Sequence, residues 1–173
     1  MPQWIIEPLS QFKGDRQLFS SGDEPLDRFF KQLATQYEKK RVGRTYIARA
    51  AEVQPALAAG YYTIANASIS FEAVPINLPR HPIPTLLIAR LATDQKFRKQ
   101  GLGEFLLFDG LRRSLEISMQ SGVFAVEVDA YESAVPFYMR YGFKPFLESL
   151  CHLYLPMKEI ERFPFNLSAK PAS

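Results

Sequence analysis

The chain has 173 residues, one domain's worth and enough to bury a core without staples. Hydrophobic residues make up 47% and charged residues 23%, the balance of a soluble globular protein. No apolar run reaches the roughly eighteen residues of a membrane span, Met1 to Ile6 lacks the order of a signal peptide, and the single cysteine, Cys151, excludes an internal disulfide and fits a reducing cytoplasm. The net charge of +3 and pI near 9.0 favour anionic partners without identifying a nucleic-acid binder.

Trp4 to Pro8 reads as a short first strand. After the turn cluster Ser20-Ser21-Gly22-Asp23, Asp23 precedes Glu24 and Pro25, the signature of a helix start. Leu26, Phe29, Phe30, Leu33 and Tyr37 recur at helical spacing and face a core. Lys39, Lys40, Arg41 and Arg44 crowd the end of that helix, where positive charge suits the dipole. Thr45 to Val53 and Gly60 to Phe71 form a predicted hairpin around Gln54 to Ala59. Pro75 to Pro84 holds four prolines and must be irregular.

Thr85 to Ala92 is an apolar strand with one charge, Arg90, and Lys96 to Gln100 is a basic loop. Gly101 to Gln120 is a long amphipathic helix with Leu102, Phe105, Leu106, Phe108, Leu111, Leu115 and Met119 inward. Val123 to Ala130 is a strand, and Ser133 to Tyr141 is a short helix capped by Ser133 and ended by Gly142. Phe143 to Phe146 and Cys151 to Pro156 are the last two strands. The order implies a mixed α/β (α+β) sheet with one parallel crossover at its centre. One domain over residues 1–160 is expected, with 161–173 as a flexible tail.

The chemistry concentrates in Leu91-Ala92-Thr93 followed by Arg98-Lys99-Gln100-Gly101-Leu102-Gly103. A strand runs into a basic, glycine-containing loop and then into a helix. Glycines allow close approach of a ligand, and free N–H groups at a helix start bind anions. The Gly-Lys-Ser/Thr of a P-loop is missing, and Leu106 stands at the third glycine of a dinucleotide fingerprint. An ordinary basic strand-to-helix turn could carry the same residues.

The segment resembles the coenzyme A-binding motif of the GNAT superfamily of N-acetyltransferases. A second segment, Ala134-Val135-Pro136-Phe137-Tyr138-Met139-Arg140-Tyr141-Gly142-Phe143, resembles the family's A-x-x-F-Y-x-x-x-G-F signature, in the expected order after a strand. The resemblance implies a twisted mixed sheet of six to seven strands flanked by helices. It implies acetyl-CoA as co-substrate, held by Leu91, Ala92, Thr93, Arg98, Lys99, Gln100, Gly101, Leu102, Gly103, Ser133 and Phe137. Tyr138 matches the family's general acid, a role a neutral phenol can fill toward a departing thiolate. The sequence departs from many members at Tyr131, where they carry Asn. Glu127 and Asp129 share one strand face, and both are read as solvated charges rather than as a base.

The N-terminal half narrows the resemblance to GNAT-type toxins of bacterial toxin–antitoxin pairs. The matching pieces include Phe19-Ser20-Ser21-Gly22, Leu26-Asp27-Arg28-Phe29-Phe30, Arg44-Thr45-Tyr46-Ile47-Ala48, Gly60-Tyr61-Tyr62-Thr63 and Val128-Asp129-Ala130. That group implies acetylation of the α-amino group of aminoacyl-tRNA, a ribbon-helix-helix antitoxin as partner, and a homodimer. Lys39, Lys40, Arg41, Arg44, Arg80 and Arg90 are the candidate tRNA contacts. A small amine or a protein N-terminus as acceptor, or a non-catalytic acyl-CoA regulator, stays open at this point. His81 and His152 are too few and too far apart to suggest a metal, and Cys151 has no spaced His or Asp to activate it.

Overall fold

The computed structural model describes residues 3–165. Seven strands form one sheet in the order β1-β2-β3-β4-β5-β7-β6. The strands are β1 (Trp4–Pro8), β2 (Arg44–Ala50), β3 (Ala58–Ile69), β4 (Ile83–Thr93), β5 (Ala125–Asp129), β6 (Lys144–Phe146) and β7 (Ser149–Pro156). Every pairing is antiparallel except β4 with β5. That parallel pair is bridged by the long helix of the chain, as a crossover connection requires. The five helices are α1 (Glu24–Arg28), α2 (Ala34–Lys39), α3 (Leu102–Ser118), α4 (Val135–Arg140) and α5 (Met157–Ile160).

The predicted first helix starts where the sequence places it. The Asp23 side chain accepts from the Leu26 N–H at 3.2 Å, and proline occupies the first turn. The helix is not continuous, however: Phe29–Leu33 winds as a π-helix between α1 and α2. This turn keeps both Phe29 and Phe30 buried, stacked on Tyr61 with centroids 6.2 and 4.5 Å away. Phe19, Ile47 and Ala92 complete that aromatic core on one face of the sheet.

On the other face α3 packs through Leu102, Leu106, Leu107, Leu111 and Leu115. Each fully buried leucine contributes on the order of 2 kcal/mol. The apolar spacing misplaces two positions: Phe105 and Met119 are exposed, and Leu107 is buried in their stead. Gly110 and Ser114 are the reason. They are buried small residues on the sheet-facing stripe, and they rotate that stripe from the one large apolar residues trace. A Cβ at Gly110 would lie 3.2 Å from Ile88 and 3.4 Å from the Tyr62 ring. Asp109 accepts from the buried Tyr62 hydroxyl at 2.6 Å and pairs with Arg112 and Arg113 at 2.9 Å, tying α3 to β3.

Two further expectations are corrected. Ser133 does not cap α4; it lies in a 3-10 turn, Glu132–Ala134, and neither that turn nor α4 has a side-chain cap. The flexible tail expected from residue 161 differs over its described part, because Phe163 and Phe165 pack edge-on against Phe108. Residues 166–173 lie outside the described residues.

The geometry that positions the site is a divergence of β4 from β5. Their pairing runs from Thr85↔Ala125 to Ile88↔Val128 and stops. Beyond it, β4 continues to Thr93, paired only with β3, while Asp129 pairs only with β7. At the same point the β3–β4 register shifts, leaving Ala89 as an extra residue. A bulge bends its strand and raises the local twist. It turns β4 away from β5 and opens a V at the sheet centre.

Gly60, opposite Thr93 at the open end of the V, lets α3 sit down on the sheet. A Cβ there would lie 2.8 Å from Leu106 Cδ1 and 2.9 Å from the Ala92 carbonyl oxygen. Gly60→Val is expected to destabilise the fold by about 1–3 kcal/mol through overpacking, measured by urea denaturation.

Candidate active site

The loop after β4 is shaped by two residues in the left-handed region, Lys99 (φ 61°) and Gly101 (φ 77°). Alternating conformations of this kind turn successive N–H groups to one side, a concavity that takes anions. Gly101 caps α3 without any side-chain hydrogen bond, and the first intrahelical bond runs from the Phe105 N–H to the Gly101 oxygen. The N–H groups of Leu102, Gly103 and Glu104 are therefore left without intrahelical partners at the positive end of a 17-residue helix. A Cβ at Gly101 would meet nothing within 4 Å, and one at Gly103 only the Phe137 ring at 3.9 Å. Packing does not demand glycine at 103; a ligand lying against the backbone would. This open, donor-lined turn fits a pyrophosphate.

The sequence reading missed what holds the turn. Asp94 is buried, and its carboxylate accepts from the Lys96 N–H at 2.8 Å and the Ser20 N–H at 2.9 Å. The Gln95 N–H in turn donates to the Ser20 oxygen at 2.9 Å. Arg98 donates to the Ser21 carbonyl, so this guanidinium braces the Ser20–Gly22 segment as well as adding charge beside the turn. Lys99 is exposed. The signal for Asp94 was its position, directly after the strand and before the basic loop.

Along Leu91, Ala92 and Thr93 the backbone pairs with Tyr62, Tyr61 and Gly60 on one side only. The edge facing the V is left unpaired, and its alternate N–H and C=O groups are available to an extended ligand. On the far wall, α4 brings Phe137 against Gly103 and buries Tyr138 to 8% exposure, between Phe137 and Phe143. Burial alone pushes the Tyr138 hydroxyl up to about 12. The phenol stays protonated at any physiological pH, which suits a proton donor and rules it out as a base.

The opposite face of the V opens into a cavity of about 540 Å³ lined by Pro25, Leu26, Tyr37, Thr63, Leu87, Ala89, Arg90 and Tyr131, among others. Its one cation, Arg90, lies flat over the Phe29 ring at 3.7 Å and 5.5 Å from Tyr37. The π-turn that carries Phe29 thus sets the guanidinium's position, a role no helical periodicity reveals. Val42 and Ala65 also line a neighbouring cavity of about 760 Å³, together with Arg41 and Arg44. Lys39 and Lys40 are exposed nearby at the end of α2. Arg80 is set apart: it lines a hollow with Ser68 to Phe71, at the other end of β4, roughly 20 Å along the strand.

Glu127 requires a correction. It is not a solvated charge but only 5% exposed; it accepts from the Thr85 hydroxyl at 2.9 Å and lies 3.2 Å from His152 Nε2. Asp129 is exposed, as expected. Among the described residues no group of three or more His, Cys, Asp or Glu could hold a metal ion, and no helix is long and apolar enough to cross a membrane.

An anion-binding turn, a free strand edge and a buried phenol facing one V-shaped opening define an acyltransferase that binds an acyl-CoA. Residues 21–152 match the acetyltransferase (GNAT) domain family. The chain belongs to that family and is an acetyl-CoA-dependent acetyltransferase. It is 32% identical over 169 residues to a probable toxin TacT of Sinorhizobium fredii, covering 90% of this chain and 92% of that protein. It is 29% identical over 145 residues to a tRNA-acetylating toxin of Mycobacterium tuberculosis, covering 82% and 85%. The solved structure of AtaT complexed with acetyl-methionyl-tRNAfMet superposes with a TM-score of 0.85 at 28% identity, over 92% of this chain and 98% of that one. AtaTR bound with AcCoA superposes with a TM-score of 0.79 at 27% identity, over 91% and 96%.

Gly103→Asp adds bulk and negative charge where the backbone N–H groups point, without touching the core. Acetyl-CoA affinity, measured by calorimetry, is expected to fall at least about tenfold, with the melting temperature little changed.

Proposed function

We propose that the protein acetylates the α-amino group of aminoacyl-tRNA and acts as a translation-blocking toxin. The observation that carries this reading is the two-sided V: an acyl-CoA-type turn and Tyr138 on one side, a cavity with Arg90 over Phe29 on the other. An acceptor entering from the second side meets the thioester at the point where β4 and β5 part. The relatives support it, since one is a tRNA-acetylating toxin and another was solved with acetyl-methionyl-tRNAfMet.

In this reading Arg98, Lys99, Gln100, Gly101, Leu102 and Gly103 hold the pyrophosphate of acetyl-CoA. The free edge of Leu91, Ala92 and Thr93 pairs with the pantetheine arm, and Phe137 and Ser133 border it from the α4 side. Tyr138 protonates the departing thiolate. Arg90 receives a phosphate close to the acceptor end, and Arg41, Arg44, Lys39 and Lys40 carry the stem by charge. Arg80 contributes only through a part of the tRNA that reaches the far end of β4, or through a second subunit. Domain 1–160 works as a homodimer in the cytoplasm, where charged tRNA is found. A ribbon-helix-helix antitoxin restrains it, in line with neighbours solved with the antitoxin AtaR or with DNA.

Labelled acetyl-CoA and charged tRNA test the reading directly. Label on tRNA is the expected result; label only on a small amine or a peptide N-terminus would replace it with the general-amine reading. Tyr138→Phe is expected to lower kcat by about 10²-fold with the acetyl-CoA Kd unchanged. Because burial raises the Tyr138 hydroxyl to about 12, the rate should show no falling limb from loss of this acid between about pH 8 and 10. A pH-rate profile checks it. Arg44→Ala should weaken tRNA binding and reduce the slope of log affinity against log salt by about 1.

A further inference from the structure

Glu127, His152 and Asp129 form a line of titratable groups that the reaction above does not use. All three lie on the sheet face of the acceptor cavity: Leu87, which lines that cavity, pairs with Glu127, and Asp129 pairs with His152. Asp129 is the residue of β5 just past the last pair with β4, at the mouth of the V. His152 Nε2 lies 3.2 Å from Glu127 Oε1 and 3.9 Å from Asp129 Oδ1. The imidazole is packed on the Phe146 ring, with centroids 4.3 Å apart, and its side chain keeps 32% exposure.

A buried carboxylate flanked by valines carries a desolvation cost that needs a reason. Here each oxygen has a partner: Oε2 accepts from Thr85, and Oε1 faces the imidazole. With both carboxylates on the Nε2 side, the tautomer that satisfies them has its hydrogen on Nε2, donating to Glu127, and its lone pair on Nδ1. That is an oriented base with a buried counter-charge for the imidazolium it would become. Of the other titratable groups on this face, Arg90 lies over Phe29 and Tyr37, and Tyr131 is hydrogen-bonded to Asp23. Tyr154 packs on Phe146, and Lys144 is held by Glu159 at 2.9 Å.

We infer that His152 is the acceptor-side base of the acetyl transfer, oriented by Glu127, with Asp129 accepting a hydrogen bond from the acceptor's neutral amine, whose ammonium form gives up its first proton to solvent before binding. This rests on the reading of the site as transferring acetyl to an amine, tRNA-borne or not. The acceptor nitrogen bonds to the acetyl carbon as the carbon–sulfur bond breaks. Its surplus proton goes through water to imidazole Nδ1, while the Tyr138 hydroxyl proton goes to sulfur. The imidazolium then returns its proton to solvent at its exposed side, and Tyr138 is reprotonated from solvent.

The test uses the full chain with acetyl-CoA and two acceptors, charged tRNA and a dipeptide amine, from about pH 5.5 to 9. Which acceptor the wild type uses decides the tRNA reading alone; the variants, on whichever acceptor reacts, decide the base. His152→Ala is expected to lower kcat by about 10²-fold at neutral pH. The KM for acetyl-CoA should hold, and added imidazole should restore at least tenfold of the loss. On the acid side the slope of log kcat/KM against pH should fall from about two to about one, since only the acceptor's own ammonium then titrates. Glu127→Gln, which keeps the side-chain shape, should lower kcat by a smaller factor. Activity of His152→Ala and His152→Gln within twofold of wild type would overturn the inference. So would a loss with unchanged slope and no imidazole rescue, which would mark a purely structural residue.

Discussion

The site depends on one backbone event: the loss of hydrogen-bonding between β4 and β5 after Ile88 and Val128. A parallel sheet centre is normally closed on both faces, and here β5 is buried through Val128. The bulge at Ala89 bends β4 out of register with β3 at the point where β5 turns away. The unpaired edge that results would be a liability elsewhere in a protein. In an acyltransferase such an edge is open to an extended ligand arm, which can complete the ladder. The opening also joins the two faces of the sheet, so two substrates can meet through it.

Electrostatics divide along the same line. The α3 side presents backbone N–H groups and the dipole of a long helix, backed by Lys99. The acceptor side presents a cation held flat on an aromatic ring, and then the buried Glu127 with His152. Tyr138 sits between them in a setting dry enough to keep its proton. Charge is thus available at both ends of the reaction path, and the centre is apolar.

Structural supports come from residues that take no part in proton or acetyl transfer. Asp94 and Arg98 lash the loop after β4 to the segment before α1, so the turn that opens α3 and the start of α1 are tied together. The π-turn at Phe29–Leu33 lets consecutive phenylalanines both reach Tyr61 and leaves Phe29 under Arg90. These are links between elements distant in sequence, and they couple the two halves of the site.

Much of this was legible in the sequence. Strand β1, the start of α1 at Asp23, the irregular stretch over residues 75–82 and the strand-loop-helix around Arg98 to Gly103 follow from local chemistry: alternation, capping, missing N–H groups and backbone freedom. The irregular stretch expected to reach Pro84 ends earlier, because Ile83 and Pro84 already pair with β3. The glycine-bearing turn at the start of α3 and the short helix carrying Tyr138 could be read because their residues are contiguous and their spacing is set by a single loop or helix turn. The bulge at Ala89, the burial of Glu127 beside Thr85 and His152, and the placement of Phe163 and Phe165 could not. Glu127 and His152 are 25 residues apart and meet only because β5 and β7 pair, and a carboxylate's environment is decided by what the fold lays over it. Local sequence determines which conformations are cheap; which side chains are desolvated together is decided only when the sheet closes around them.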